Sequence, residues 1–170
     1  LQLFLKERCV YYLTEKGFQK KVVEVAIEQY KLDFLPILPR VIAEITEFIT
    51  SDLGVRVSAV HRRVSNFLTS NKNFLHFEKK FSEEVAMEED KLVHKQLMLI
   101  IERVEESLQN KDFKRALLDL ESIVDSVNRF LDNVQINCKD NALRSLRYLL
   151  LTQIRQTMNS VINFSELDKK

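Results

Sequence analysis

Residues Asp140 to Phe164 read DNALRSLRYLLLTQIRQTMNSVINF, and this stretch decides the fold. Its leucine, isoleucine, valine and methionine residues recur at helical spacing without an intervening Gly or Pro, so they form one broad apolar stripe. Asp140 is a favourable N-cap because its carboxylate can accept from free N–H groups in the first turn. Arg144, Arg147 and Arg155 lie along one flank of the stripe. The stretch predicts a long, well-packed helix with an arginine edge.

A shortage of turn residues extends the helical prediction to the whole chain. The 170 residues include two glycines and two prolines, too few for the many turns of a β-sandwich or barrel. Apolar residues make up 45% and charged residues 30% of the chain, as in ordinary globular domains. We therefore predict an all-α, antiparallel helical bundle of about seven helices that forms a single domain over residues 1–170.

The apolar spacing also predicts where the other helices lie. They cover residues 1–16, 20–30, about 39–50, about 55–69, 88–108 and about 113–133. The first has apolar residues nearly all round, which predicts burial on several sides. The segment Ser51–Gly54 is predicted to break the chain between two helices, and residues 71–84 are predicted to form a polar loop held by phenylalanines.

The charge balance limits the function classes. The 26 basic and 25 acidic residues give a net charge of +1, so any nucleic-acid surface must be a local patch. No apolar run approaches the roughly 18 residues of a membrane span, and no signal peptide is present, which predicts a cytoplasmic protein. The chain begins with Leu1 inside a helical pattern, so we expect it to be a fragment of a longer protein.

Catalytic and metal-binding patterns are not found. Cys9 and Cys138 are far apart in sequence, and none of the three histidines has a partner at ligand spacing. There is no Gly-rich phosphate loop, no HExxH, and no Ser/His/Asp set at a supporting spacing. We predict no catalytic residue, metal or cofactor in this chain.

The best binding candidates lie in the fourth predicted helix. On a helical wheel Arg62 and Asn66 lie one turn apart and nearly opposite the apolar face, with Arg63 on the flank. Arginine can grip phosphates and stack on bases, and an Asn amide can read a base edge. The alternative is an ordinary solvated helix face.

The other cations divide in the same way. Arg144 and Arg155 are predicted to be exposed enough to meet a phosphate. Arg147 lies close to the apolar stripe, so it is either a buried arginine paired with a carboxylate such as Asp125 or Asp132, or an RNA contact. In the first helix, Lys6 and Arg8 must lie at seams between helices or in a groove.

Four stretches resemble one family of helical domains. Asn141-Ala142-Leu143-Arg144 resembles the Asp-Ala-Leu-Arg signature of the all-helical anticodon-binding (DALR-type) domain of some aminoacyl-tRNA synthetases, with Asn141 replacing the Asp. Residues 4–8, 62–68 and 130–134 read FLKER, RRVSNFL and FLDNV. They look like segments of that domain in the β subunit of bacterial heterotetrameric glycyl-tRNA synthetases. The order and spacing of all four agree, and the resemblance covers essentially the whole chain.

The resemblance implies a C-terminal anticodon-binding domain of a glycine–tRNA ligase β subunit. The parent enzyme would use ATP and Mg to attach glycine to its tRNA, with the catalytic centre in the α subunit. The implied partners are glycine tRNA and the α subunit of the heterotetramer, with no DNA and no membrane. The candidate tRNA-binding residues are Arg62, Arg63, Asn66, Arg144, Arg155, Arg8 and Lys6.

Three alternatives share the helical fold. The chain could be a docking module for the α subunit without RNA contact, or the anticodon domain of an arginyl-type synthetase. The glycyl-type segments at 62–68 and 130–134 argue against the arginyl alternative. A helical scaffold unrelated to translation fits the near-neutral charge but not the four ordered matches.

Overall fold

The structure is a computed structural model that describes residues 2–30, 36–70 and 80–168. Within these ranges the chain forms nine helices and no strand, which confirms the all-α fold. In chain order they are α1 (Gln2–Glu15), α2 (Lys20–Tyr30), α3 (Leu38–Thr50), α4 (Asp52–Ser70), α5 (Glu88–Gln109), α6 (Phe113–Glu121), α7 (Val124–Asn133), α8 (Asn141–Val161) and α9 (Phe164–Leu167). No helix in the described ranges combines the length and apolarity needed to cross a membrane.

Helix α8 lies at the centre of the bundle. It packs against α4, α5, α6 and α9, and 11 of its 21 residues are buried. Asp140 Oδ1 accepts a hydrogen bond from the N–H of Leu143 at 3.0 Å, so the predicted N-cap is confirmed. Since a fully buried leucine or isoleucine contributes about 1.5–3 kcal/mol, α8 is a main source of the stability of the bundle.

The predicted last helix is divided in two. Helix α8 ends at Val161, and α9 begins at Phe164. Ile162 between them is extended, with φ −150° and ψ 139°, and the Asn163 side chain caps α9 by accepting from the N–H of Glu166. Because Ile162 and Phe164 are both buried, the apolar spacing continues through the junction and conceals the break.

Side chains of helix α2 form hydrogen bonds with the junction between α8 and α9. The Tyr30 hydroxyl donates a hydrogen bond to the carbonyl of Val161. The Gln29 amide donates to the carbonyl of Ser160 at 2.8 Å and accepts from the N–H of Asn163, also at 2.8 Å. These bonds satisfy backbone groups that a helix end leaves without partners.

The helix predicted over residues 113–133 is also two helices, α6 and α7. The Ser122 hydroxyl donates to the carbonyl of Asp119 at 2.6 Å, and the Ser122 N–H bonds the same carbonyl at 3.2 Å. A serine that takes a backbone carbonyl competes with continued helix. Apolar burial continues through Ile123 and Val124, so the spacing alone did not indicate the break.

The turn between α3 and α4 is tighter than predicted. We expected Ser51–Gly54 to separate two helices, but α4 already begins at Asp52. Ser51 Oγ donates to the carbonyl of Phe48 at 2.6 Å and accepts from the N–H of Gly54 at 3.1 Å. A Cβ on Gly54 would lie 1.9 Å from the carbonyl oxygen of Phe48. Gly54 therefore permits the close approach of the two helices instead of breaking one.

Helix α1 is less buried than predicted. Its strongest packing is against α2, and only Leu13 among its described side chains is buried. Phe4, Leu5, Tyr11 and Tyr12 are exposed. The helix ends as expected at Gly17, whose φ of +93° suits glycine. The apolar residues on the other sides of this helix therefore form a second surface, which is exposed to solvent.

The loop predicted over residues 71–84 is only partly described. Residues 71–79, with Phe74 and Phe77, lie outside the described residues. Phe81 stacks on the ring of His94 in α5, with centroids 3.7 Å apart. One of the three phenylalanines therefore anchors this segment as predicted.

Candidate nucleic-acid interface

Helix α4 presents Arg62 and Asn66 to solvent on its outer side. Its buried side chains include Val57, Val60 and Val64, which face the core. Arg62 and Asn66 are both exposed and lie one turn apart, as the helical wheel predicted. The Arg62 guanidinium makes one long hydrogen bond, from Nε to the carbonyl of Ser58 at 3.4 Å. The cationic and amide edge predicted from the sequence is therefore present and accessible.

Arg63 is directed at a neighbouring helix. Its Nη1 donates to Asn128 Oδ1 and its Nη2 to Asp132 Oδ1, each at 2.6 Å. Both acceptors belong to α7. About two helical turns earlier, Arg56 bonds Glu121 and Asp125 at 2.6 Å. The two arginines hold α4 against α6 and α7 and thereby orient the exposed edge that carries Arg62.

Arg147 is a packing residue with a different partner from the one predicted. It is 5% exposed, and Asp90 of α5 is 0% exposed. Its Nε lies 2.9 Å from Asp90 Oδ1 and its Nη2 lies 3.3 Å from Oδ2, while Nη1 donates to the carbonyl of Gln135 at 2.9 Å. The predicted carboxylates, Asp125 and Asp132, pair instead with Arg56 and Arg63.

Arg144 stabilises the start of its own helix. Its Nη1 donates to the carbonyl of Cys138 at 3.3 Å, and its Nη2 donates to Oδ1 of Asn141. The side chain is half-buried. Asn141, which replaces the Asp of the signature, keeps an acceptor oxygen at this position. Arg144 is thus less accessible than the sequence suggested.

Arg155 belongs to α8 and lies near the buried His61 of α4. The Arg155 side chain is half-buried, and its charge is close enough to influence the pKa of His61. It lies nearer to α4 than the sequence alone could indicate. Arg155 stays a candidate for phosphate contact.

His61 organises the contact between α4 and α9. Its ring is 1% exposed and packs on Phe164 with centroids 5.5 Å apart. Nε2 lies 3.3 Å from Ser165 Oγ and Nδ1 lies 3.8 Å from Asp168 Oδ2. Burial lowers the pKa of His61 below its ordinary value, and the charge of Arg155 lowers it further. The charge of Asp168 and a hydrogen bond with Asn159 act in the opposite direction and raise it. A buried, neutral ring is suited to packing.

Spacing did not indicate this cluster, because its members are distant in sequence. His61 and Ser165 are 104 residues apart. Only the packing of α9 on α4 brings them together. Asp90 is likewise not distinguished by sequence: its acidic neighbours Glu88 and Glu89 are exposed, while Asp90 itself is buried.

The two candidates on α1 have different surroundings. Lys6 forms an ion pair with Glu28 of α2, so it lies at a seam between helices as predicted. Arg8 was predicted to lie at a seam or in a groove, but it is exposed, with its guanidinium carbon 5.4 Å from the centroid of the Phe4 ring. Of the seven candidates, Arg62, Asn66 and Arg8 are exposed, and Arg63 and Lys6 are engaged in ion pairs.

Metal ligation has no visible basis in the described ranges. No group of three or more His, Cys, Asp or Glu side chains is placed to hold an ion there. Cys9 and Cys138 are free thiols, each partly buried.

The sequence of the chain matches known proteins in two comparisons. The DALR anticodon binding domain family matches residues 57–167, which run from α4 to α9. The chain is also similar to the glycine–tRNA ligase beta subunits of Ralstonia nicotianae, at 26% identity over 164 residues, and Nitrosomonas europaea, at 28% over 174 residues. The alignments cover 96% and 98% of this chain and 23% of each relative. The chain thus spans about a quarter of the length of these relatives.

Proposed function

Because the chain belongs to the DALR anticodon-binding domain family, we propose that it binds the anticodon arm of glycine tRNA. The similarity to glycine–tRNA ligase beta subunits along almost the whole chain supports glycine as the amino acid involved. In this proposal the chain is one domain of such a subunit.

The observation that carries the proposal is the exposed edge of α4 formed by Arg62 and Asn66. Both lie in the region matched by the family, and both are exposed. The two neighbouring arginines, Arg56 and Arg63, are bonded to α6 and α7. The helix is therefore held rigidly while its outer edge remains available to a ligand.

The chemistry of this edge suits an unpaired stretch of RNA. The Arg62 guanidinium can pair with a phosphate or stack on a base, and the Asn66 amide can donate to and accept from a base edge. Since the net charge of the chain is only +1, affinity depends on a few local cations. The affinity would fall with salt, with a slope set by the few phosphates contacted.

The parent enzyme follows from the same proposal. It would attach glycine to tRNA with ATP and Mg in a catalytic α subunit, while this domain holds the anticodon arm. The α subunit and glycine tRNA would be its partners, and the cytoplasm its location. No residue of the described chain is assigned to the chemical step.

The test is equilibrium binding of a glycine tRNA transcript to the purified chain at low salt. If Arg62 contacts a base, Arg62→Ala is expected to weaken binding by about 1–3 kcal/mol. If Arg62 contacts a phosphate, the loss of affinity should be similar for all RNA sequences, and the slope of log affinity against log salt concentration should fall by about one. Asn66→Ala is expected to reduce discrimination between anticodon variants. Arg103→Ala, which removes an exposed cation from α5, is the matched control and should bind as the unaltered chain does. Equal binding by all variants, or none by the unaltered chain, would contradict the proposal.

A docking module for the α subunit is a second candidate. It is favoured by the engagement of Arg63, Arg144 and Arg147 in contacts within the chain, which leaves few cations for RNA. It predicts that the chain captures the α subunit and that Arg62→Ala and Asn66→Ala leave this capture unchanged. Capture without any tRNA binding would establish this candidate over the first.

A further inference from the structure

Helix α8 contains three arginines and no acidic residue. Its sequence, NALRSLRYLLLTQIRQTMNSV, holds none of the 25 Asp and Glu residues of the chain. Every other helix in the described ranges has at least one, and in α4 it is Asp52, the first residue. The rest of α4 is therefore also free of acids. Since α4 and α8 pack against each other, two adjacent helices present a surface with almost no carboxylate of their own.

The outer sides of α4 and α8 meet along one seam. On a helical wheel Arg62 and Asn66 lie within about 40° of each other, and His61 lies about 100° from Arg62. His61 marks the side of α4 that is directed at α8, because the charge of Arg155 is close enough to lower the pKa of this histidine. Arg62 and Arg155 are thus on either side of the same seam.

The outer side of α8 adds uncharged donors and acceptors to this seam. Gln156 is exposed, and Thr152 and Arg155 are half-buried. On the wheel Thr152 lies about 40° from Gln156, and Arg155 lies about 60° further round, on the flank that faces α4. These three residues, together with Arg62 and Asn66, are called here the α4–α8 strip.

The two arginines of the strip differ from the arginines beside them, whose charges are neutralised. Arg56, Arg63 and Arg147 each form an ion pair with a carboxylate of α5, α6 or α7. Within the part of the chain that the structure describes, no such ion pair is formed by Arg62 or Arg155. Their guanidinium groups can therefore take a phosphate without first giving up a carboxylate.

We propose that the α4–α8 strip binds the sugar–phosphate backbone of the RNA, with Arg62 and Arg155 each contacting a phosphate. This inference rests on the proposed function and extends its site from α4 to α8. A guanidinium pairs with phosphate oxygens through two parallel N–H bonds. The amides of Asn66 and Gln156 and the hydroxyl of Thr152 can donate to phosphates or bond a ribose 2′-OH between them.

The composition of the strip selects a polyanion as its ligand. All five side chains are polar, and the two charges have the same sign. One carboxylate approaches from the end of α9, that of Asp168, whose Oδ2 lies 3.8 Å from Nδ1 of His61, so the cations still outnumber it. A protein surface of balanced charge gains little from such a strip, whereas each phosphate that replaces a counterion adds to the affinity for RNA.

The test introduces a carboxylate without changing the shape of a side chain. Gln156→Glu places a negative charge in the strip, and Gln109→Glu makes the same change at an exposed position of α5. Arg155→Gln removes the second cation, alone and together with Arg62→Ala. The probe is a fluorescent anticodon stem-loop of glycine tRNA, titrated at several KCl concentrations, and the thermal midpoint of each variant reports folding.

We expect Gln156→Glu to weaken binding by about 5-fold or more at low salt, the effect of one unit charge about 4 Å from a phosphate in water. Gln109→Glu should bind as the unaltered chain does. Arg155→Gln should reduce the slope of log affinity against log salt concentration by about 0.7–0.9, and the double variant by about twice as much. The thermal midpoints should change little, because none of these side chains is fully buried.

Other outcomes would overturn the inference in distinguishable ways. If Gln156→Glu and Arg155→Gln bind like the unaltered chain while Arg62→Ala binds weakly, α8 takes no part and the proposed function stands. If the two α8 variants keep RNA binding but lose capture of the α subunit, the strip is a docking surface for an acidic protein. If Gln109→Glu weakens binding as much as Gln156→Glu, the effect comes from net charge and not from the strip. If the unaltered chain binds neither the stem-loop nor the full tRNA, the inference and the proposed function fail together.

Discussion

Arginines of similar sequence setting have different roles because their neighbours differ. Arg62 and Arg63 are adjacent, yet one is exposed and the other bonds Asn128 and Asp132. Arg147, three residues after the Asn141–Arg144 stretch, is buried against Asp90. At this scale the identity of a side chain limits what it can bind, and its surroundings determine what it does bind.

Replacing Arg147 with Ala is expected to destabilise the protein by about 3–5 kcal/mol, because Asp90 would stay buried without its partner. Urea unfolding of the chain measures the change in the free energy of unfolding. Arg155→Ala on the same helix is the control, since Arg155 is only half-buried; this substitution should cost less than about 1 kcal/mol.

The double change Arg147→Met with Asp90→Leu should recover much of this loss, because apolar side chains of similar size can replace a buried ion pair at little cost. If Arg147→Ala alone unfolds at the same urea concentration as the unaltered chain, the pair is not the stabilising contact inferred here.

Replacing His61 with Gln is expected to remove part of the pH dependence of stability. Burial lowers the pKa of His61 in the folded protein, while the unfolded chain keeps a value of about 6.5. As the pH falls, the histidine of the unfolded chain binds a proton before that of the folded chain, which favours the unfolded state. The contribution of His61 to stability is therefore fully present above about pH 6.5 and is lost progressively as the pH falls from there to the pKa of His61 in the folded protein.

The measurement is the free energy of unfolding between pH 8 and 5.5, above the range where most carboxylates titrate. His94→Gln is the matched control, because burial also lowers the pKa of His94 and its replacement should leave the contribution of His61 in place. A pH profile that is the same with and without His61 would refute the assignment.

At the scale of elements, hydrogen bonds at the turns determine where one helix ends and the next begins. Buried apolar residues continue through Ser122–Ile123 and through Ile162–Asn163, so the spacing merged α6 with α7 and α8 with α9. Hydrogen bonds of Ser122 and Asn163 end one helix or start the next. Short polar side chains at such points compete locally with the helical hydrogen bonds.

Gly54→Ala is expected to destabilise the protein by about 1–3 kcal/mol, the usual cost of inserting a methyl group where packing is already close. Its Cβ would lie 1.9 Å from the carbonyl oxygen of Phe48, so α3 and α4 would have to separate. Val55→Ala, a neighbouring exposed position on α4, should change stability by less than about 0.5 kcal/mol. Thermal unfolding of both variants checks the difference; an unchanged midpoint for Gly54→Ala would show that the turn can adapt.

At the scale of the whole molecule, burial is concentrated on α8 and weakest on α1. Helix α8 packs on four helices, while α1 packs mainly on α2. The region matched by the DALR family begins at residue 57, so α1, α2 and α3 precede it. Helix α8, with its 11 buried residues, lies within the region matched by the family.

Hydrogen exchange followed by mass spectrometry should show this gradient. Amides of α8 (Asn141–Val161) are expected to exchange at the rate of global unfolding, and those of α1 (Gln2–Glu15) much faster, because few buried contacts hold α1. Helix α5 serves as a reference, since it is of similar length to α8 and packs on α6, α7 and α8. Equal protection of α1 and α8 would mean that the hairpin of α1 and α2 unfolds only with the core.

The amino-acid sequence by itself determined the all-helical class, the central helix with its Asp140 cap, and the exposed pair Arg62 and Asn66. Helical periodicity and capping depend on residues within one or two turns of each other, so they are visible in sequence. Within each of the four stretches that resemble the family, the residues are likewise consecutive in the chain.

Only the tertiary structure decided which charges are available. It assigned Arg63 to Asp132, Arg147 to Asp90 and His61 to the cluster with Ser165, and it left the face of α1 uncovered. These contacts join residues that the chain separates by many positions, and their energies depend on burial and distance. Local spacing contains neither quantity.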